Sequence, residues 1–166
     1  MIGDVVALQW FLWDAIASMD PTGVAVGQTW NSRLSLPTPM VMRKARDVQY
    51  TLENIQQIPS GRVAVIGSTY KLSDQSAPAS WPIPYSGLFR VSGPFGMLGG
   101  YTFLDFEGKG QERFNLDTGV WEGSEQQFQM EMQATLPPTV AIVMRSKSEP
   151  RPLVVIRQTL KMERVK

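Results

Sequence analysis

The chain has 166 residues, with 16 lysines and arginines, 15 acidic residues, and neither cysteine nor histidine. That length suits one domain, and its formal net charge of +1 gives no overall attraction to nucleic acid or to an anionic membrane. The missing residue types exclude disulfides, thiol nucleophiles, histidine-based hydrolase triads and the usual zinc sites. We therefore expect a single domain over 1–166, without cofactor, metal or nucleic-acid partner.

The N-terminal segment VVALQWFLWDAIASM predicts a helix over about 4–19, with Asp4 as its cap. Asp4 and Asp14 interrupt the apolar run, which is too short for a membrane span and lacks the charge pattern of a signal peptide. Apolar residues surround nearly the whole helix, so it needs cover on most sides. It is either a core helix lying on a sheet or a mobile lid whose working face includes Trp10 and Trp13.

The rest of the chain, from about 26 to 165, has the two-residue alternation of β-strands. The clearest example is QQFQMEMQAT, in which apolar residues at 128, 130, 132 and 134 alternate with polar ones. Gly108 and Gly110, and then Gly119, predict two tight turns between three short strands. Further strands are expected over 86–93 and 139–146.

Eight or nine closely spaced strands without intervening helices predict an antiparallel meander. A sheet of that size tends to curl, so the predicted fold class is mainly β: a curved half-barrel covering one N-terminal helix. The proline-rich segment 73–85 is predicted to be a loop. Within it, Trp81 is expected either to plug one end of the core or to contact a ligand or partner.

Two stretches carry a resemblance to a known family: VAVGQTW at 24–30 and GQERFNLDTGVWEGSEQQFQMEMQ at 110–133. Together they resemble a planctomycete-type family of exported bacterial proteins of unknown function, and more distantly the LolA and LolB lipoprotein-localisation half-barrels. The resemblance implies a curved sheet around helical cover, a periplasmic or cell-envelope location, and a cavity for acyl chains. Because the sequence starts directly on a capped helix, we also expect the chain to be part of a longer exported protein, with any export signal upstream of this sequence or absent.

Charged residues in the sequence do not form a recognisable catalytic set. Carboxylate pairs can be drawn from Asp105, Glu107, Glu112 and Asp117, but most of these border predicted turns and are expected to be solvated. A basic cluster that includes Arg46 is interpreted as protection of a strand edge. An enzyme would require at least three carboxylate, arginine or tyrosine side chains to converge in one pocket.

The sequence therefore predicts a noncatalytic protein, with two alternatives for its function. The first is an envelope module that binds an apolar, lipid-like ligand between sheet and helix. Its candidate ligand surface consists of large aromatic and methionine side chains, because methionine adapts to irregular partners; the residues are Trp10, Trp13, Trp81, Phe128, Met130 and Met132. The second is a structural or protein-interaction module whose apolar residues form an ordinary core.

Overall fold

The computed structural model of the protein describes residues 14–35, 44–76, 100–135 and 151–164. These ranges contain one short helix, α1 (Asp14–Ala17), and six strands. The strands are β1 (Thr29–Ser35), β2 (Lys44–Ile58), β3 (Gly61–Ser76), β4 (Gly100–Asn115), β5 (Val120–Thr135) and β6 (Leu153–Glu163).

The strands form one sheet in the order β1-β2-β3-β4-β5-β6, and each pairs antiparallel with its neighbour in sequence. This arrangement confirms a mainly β, antiparallel meander. Among the described strands, β1 and β6 do not pair with each other, so the sheet they form is not closed. The described residues include six strands rather than the eight or nine expected, and helical structure only at 14–17. The predicted strands at 86–93 and 139–146 lie outside the described residues.

One face of the sheet is apolar and buried, and we call it the covered face; the other is the polar face. Alternating residues of β5 point to these two faces. On the covered face, the side chains of Phe128, Met130, Met132 and Ala134 are at most 5% exposed, whereas Gln127 on the polar face is exposed. Opposing residues on neighbouring strands share a face. The covered face therefore joins these residues to core residues on the other strands, among them Trp30, Val48, Tyr50, Ile66 and Phe106.

Helix α1 lies against the covered face at β1 and β2. The indole nitrogen of Trp30 donates a hydrogen bond to the carbonyl oxygen of Ala15 (2.9 Å), and the Trp30 and Tyr50 rings stack with centroids 5.6 Å apart. Asp14, the first residue of α1, accepts a hydrogen bond from the Tyr50 hydroxyl (2.6 Å). The helix is thus fixed to the sheet by polar contacts within a mainly apolar interface.

Two predictions about strand boundaries were wrong. Gly108 and Gly110 lie inside the continuous strand β4 rather than at turns. They are small because β5 side chains lie over them: a Cβ at Gly108 would meet that of Phe128 at 2.8 Å, and one at Gly110 would collide with the Gln126 side chain. The predicted loop from 73 also begins too early, because β3 continues to Ser76, where it pairs with Lys44. The rest of that loop lies outside the described residues.

Gly119 does lie at a turn, with the positive φ of 68° that glycine adopts readily. The turn between β4 and β5 is bonded to the one between β2 and β3. Asp117 accepts hydrogen bonds from the backbone nitrogen (2.7 Å) and the guanidinium (2.6 and 2.9 Å) of Arg62. Asn115 also accepts bonds from the backbone nitrogens of Asp117 and Thr118, both at 3.1 Å. Both turns are therefore held together at one end of the sheet.

Candidate functional site

The predicted ligand surface is described only in part. Phe128, Met130 and Met132 lie on the covered face of β5, whereas Trp10, Trp13 and Trp81 lie outside the described residues. The three described side chains lie side by side and are close-packed: the centroid of the Phe128 ring lies 5.6 Å from that of Phe106, and Met130 pairs with Phe106. They form part of the core cluster. Both predicted functions are compatible with this position, since a ligand-binding face and an ordinary core are each lined by apolar side chains.

The covered face of β5 is apolar at one end and polar at the other. From Phe128 to Ala134 its inward residues are apolar, and they pair with residues such as Phe103, Phe106 and Ile156. From Gln126 back to Trp121 they carry polar atoms. Gln126 is fully buried and Ser124 is 6% exposed, so this polar end lies within the protein rather than at its surface.

Arg46 is the largest fully buried side chain among the described residues, although its sequence context suggested a solvated strand edge. It shares the covered face with Val48 and Tyr50, and its guanidinium lies 5.1 Å from the centroid of the Tyr70 ring. Burial lowers the pKa of Arg46, while the Tyr70, Tyr50, Asp14 and Glu112 groups act in the opposite direction. The interpretation of Arg46 as edge protection was wrong, because a guanidinium can be buried over an aromatic face beside acidic groups.

Glu112 on β4 was also expected to be solvated, and it is only 3% exposed. It lies between Ile66 on β3 and Ser124 on β5 in the register of the sheet. Burial raises the pKa of Glu112 to about 8, with a further increase from Asp14 and an opposing effect of Arg46. Near neutral pH this carboxyl group is therefore mostly protonated and can donate a hydrogen bond.

Buried hydroxyl and amide groups connect the strands beside these charges. The Ser68 hydroxyl bonds to the Tyr70 hydroxyl (2.7 Å), which in turn donates to the side-chain oxygen of Gln126. On the other side of the cluster, Asp14 accepts bonds from Tyr50 (2.6 Å) and Ser32 (3.1 Å). These bonds fix the side chains across β1, β2, β3 and β5.

Three buried hydrogen-bond donors follow one another on β5 without an acceptor in the described part of the chain: the indole nitrogen of Trp121, the hydroxyl of Ser124 and the amide nitrogen of Gln126. We call these three residues the donor row. Ser124 pairs with Glu112 and Gln126 with Gly110, so both face the covered side. Trp121 joins them because a register shift after Arg113 pairs it with Phe114. Buried donors without acceptors are uncommon in folded proteins.

The cluster satisfies one condition for catalysis but lacks others. Arg46, Tyr70 and Glu112 converge on the covered face, and all three are buried. Burial raises the pKa of Tyr70 to about 12 and also raises that of Tyr50, so both phenols stay protonated at neutral pH. Within the described ranges, no three acidic side chains are placed to hold a metal ion. The arrangement is suited to donating hydrogen bonds rather than to removing protons.

Strand parity in the sequence indicates that these residues face the covered side, although their polar or charged character favours exposure. Arg46 has the same parity as Val48 and Tyr50, and Gln126 the same parity as Phe128 and Met130. Alternation alone would have placed them on the covered face. Two expectations placed these residues at the surface instead: that the basic cluster with Arg46 protects a strand edge, and that acidic residues near predicted turns, such as Glu112, are solvated.

The polar face carries a groove of about 470 Å³ over β2, β3, β4 and β5. Gly67 lies beneath it, and the Glu53 side chain covers Gly67 while accepting a hydrogen bond from Gln111 (2.8 Å). The lining side chains are glutamine, threonine, serine, glutamate and lysine. Such solvated groups provide little burial for a ligand, so the covered face is the stronger candidate site.

No family model, curated protein or solved structure matches the chain. The resemblance to exported half-barrel proteins therefore stays a prediction. Among the described residues, no helix has the length and apolar character needed to cross a membrane.

Proposed function

We propose that the chain is a noncatalytic binding module of the bacterial envelope that holds an apolar, lipid-like molecule against the covered face of its sheet. The observation that carries the proposal is the division of this face along β5. Phenylalanine and methionine side chains occupy one end, and buried polar groups occupy the other. This division matches a molecule with an apolar body and a polar end.

The apolar end offers a surface that can adapt to a ligand. Met130 and Met132 are unbranched and can change conformation at low cost, unlike β-branched residues. They lie next to β6, where Val154 and Ile156 are only half-buried although they face the same side. A molecule could therefore reach the methionines from the β6 edge without unpairing the central strands.

Binding can be tested by extracting purified full-length protein with organic solvent and identifying released lipids by mass spectrometry. The matched variants are Ile156→Lys, on the covered face of β6, and Val155→Lys, on its polar face. We expect I156K to lose bound lipid, because it places a charge beside Met130, and V155K to retain it. Circular dichroism would verify that both variants fold.

Two results would count against the proposal. Protein that releases no lipid and binds none of a panel of single-chain amphiphiles would not be a lipid-binding module. Equal lipid retention in I156K and V155K would show that any bound lipid lies elsewhere than on the covered face.

A structural or protein-interaction module is the second candidate, and the exposed apolar residues near the β6 edge favour it. Leu153 is 57% exposed, Leu104 is 48% exposed and Val155 is 40% exposed. Leu153 and Val155 lie on β6, and Leu104 lies on β4, with β5 between them. Under this alternative, V155K would weaken association detected by light scattering or by capture from envelope fractions. I156K would reduce association only to the extent that it lowers the stability of the fold.

A further inference from the structure

We infer that the donor row, Trp121, Ser124 and Gln126, binds the oxygen acceptors of an uncharged polar group, such as an ester, on the ligand. This inference rests on the proposed function and specifies the chemistry of the ligand's polar end. Its basis is that all three residues present buried N–H or O–H groups without an acceptor among the described residues. Leaving a buried donor unpaired costs about 1–3 kcal/mol, so an acceptor placed there would be favourable.

The hydrogen-bonding capacity of the donor row determines which ligand atoms can bind there. The Trp121 indole and the Gln126 amide nitrogen can only donate, and the Ser124 hydroxyl can donate or accept. The side-chain oxygen of Gln126 is already occupied, since it accepts the bond from Tyr70. A ligand must therefore supply mainly acceptors, as carbonyl and ester oxygens do.

The charges around the row disfavour a ligand with a net charge. The buried cluster contains both signs, because Arg46 interacts electrostatically with Asp14, while Glu112 is mostly protonated at neutral pH. A carboxylate ligand would meet the charge of Asp14, and an ammonium ligand would meet that of Arg46. Either ion would also lose its hydration without gaining a counter-ion of its own.

The position of the row allows access from the same edge as the apolar surface. Leu160 pairs with Gln126, and Met162 pairs with Ser124. Both β6 side chains are half-buried, in contrast to the fully buried Gln126. One molecule lying along β5 and β6 could thus place its chain near Met130 and its oxygens at Ser124 and Gln126.

The test uses three probes of equal chain length: methyl decanoate, decanoate and decylamine. Each is titrated into the full chain by calorimetry at neutral pH. We expect methyl decanoate to bind at least tenfold more tightly than either charged probe. We also expect Ser124→Ala and Trp121→Phe, which remove one donor each, to weaken its binding by about fivefold to tenfold.

Stability measurements separate binding from a structural role. Because Ser124 and Trp121 make no hydrogen bond through these donor atoms in the described part of the chain, removing an unpaired donor should not lower stability, and the two variants should unfold at urea concentrations equal to or above that of the wild type. The control Ser68→Ala removes a hydroxyl that does have a partner, and it should lower stability.

The outcomes distinguish this inference from the proposed function. If none of the three probes binds, the proposed function fails and this inference fails with it. If decanoate or decylamine binds as tightly as the ester, or if S124A and W121F leave ester affinity unchanged, the assignment of the donor row is wrong while lipid binding by the covered face still holds.

Discussion

Replacing Glu112 by glutamine should stabilise the protein near neutral pH and leave it unchanged in acid. Glutamine has almost the shape of protonated glutamate and cannot ionise. Burial raises the pKa of Glu112 from 4.5 to about 8, so the folded chain retains a proton that the unfolded chain has already released over this interval. The wild type therefore loses stability as the pH rises towards 8, and the variant does not.

The magnitude follows from the width of that interval. Because the folded pKa is raised, the contribution of Glu112 to stability is complete below pH 4.5 and is lost by about pH 8. Each pH unit within the interval lowers the free energy of unfolding by about 1.4 kcal/mol. At pH 7 we expect E112Q to be more stable than the wild type by about 3 kcal/mol.

Urea unfolding of both proteins at pH 4.5 and pH 7 measures this difference. Comparing the two proteins at each pH cancels the titration of other groups. Glu107→Gln is the matched control, since Glu107 is exposed on the polar face of the same strand; it should follow the wild type at both pH values. A difference between E112Q and wild type that is equal at both pH values would refute the reasoning. So would a less stable E112Q at pH 7, because it would mean that ionised Glu112 is stabilised by Arg46.

Three further substitutions test the packing of the covered face by urea unfolding. Gly110→Ala should lower stability by about 1–3 kcal/mol, because its methyl group collides with the Gln126 side chain; a neutral effect would mean that Gln126 can move aside. Trp30→Phe should cost about 1–3 kcal/mol by leaving the Ala15 carbonyl oxygen without its donor, and an unchanged midpoint would argue against that bond. Met130→Ala should cost about 2–5 kcal/mol through the cavity it leaves, whereas a loss below 1 kcal/mol would indicate a surface that readily closes.

Local patterns in the sequence were sufficient to predict a mainly β, antiparallel sheet, but not its number of strands. The alternation from Phe128 to Ala134 correctly assigned the buried side of β5, and the absence of helices between strands correctly indicated an antiparallel meander. The buried side of β5 is determined by residues adjacent in sequence, and the antiparallel order by the type of connection between consecutive strands. The turn predicted at Gly108 and Gly110 was wrong. Glycine is common in turns, but at these positions it makes room for β5 side chains that are distant in sequence.

The candidate site was harder to predict because it is assembled from distant parts of the chain. Asp14, Arg46, Glu112 and Gln126 come from α1, β2, β4 and β5. The pairing register brings the three strand residues together, and hydrogen bonds from Ser32 and Tyr50 hold Asp14 beside them. Their burial depends on mutual compensation of charge and hydrogen bonding, which composition and spacing do not express. Strand parity was the one local signal, and it was outweighed by the usual exposure of charged residues.

The bonds between Arg62 and Asp117 also bear on how the chain folds. Strands β2 and β3, like β4 and β5, form a hairpin with a short connection, and such pairings close quickly. Pairing β3 with β4 brings together residues that are 36 positions apart (Lys71 and Glu107) to 52 positions apart (Val63 and Asn115), which is the larger entropic step. Arg62 and Asp117 are 55 residues apart and belong to different hairpins, so their bonds form only after this step. A mutation at Asp117 should therefore accelerate unfolding more than it slows the formation of either hairpin, because it removes bonds that join the two hairpins late in folding.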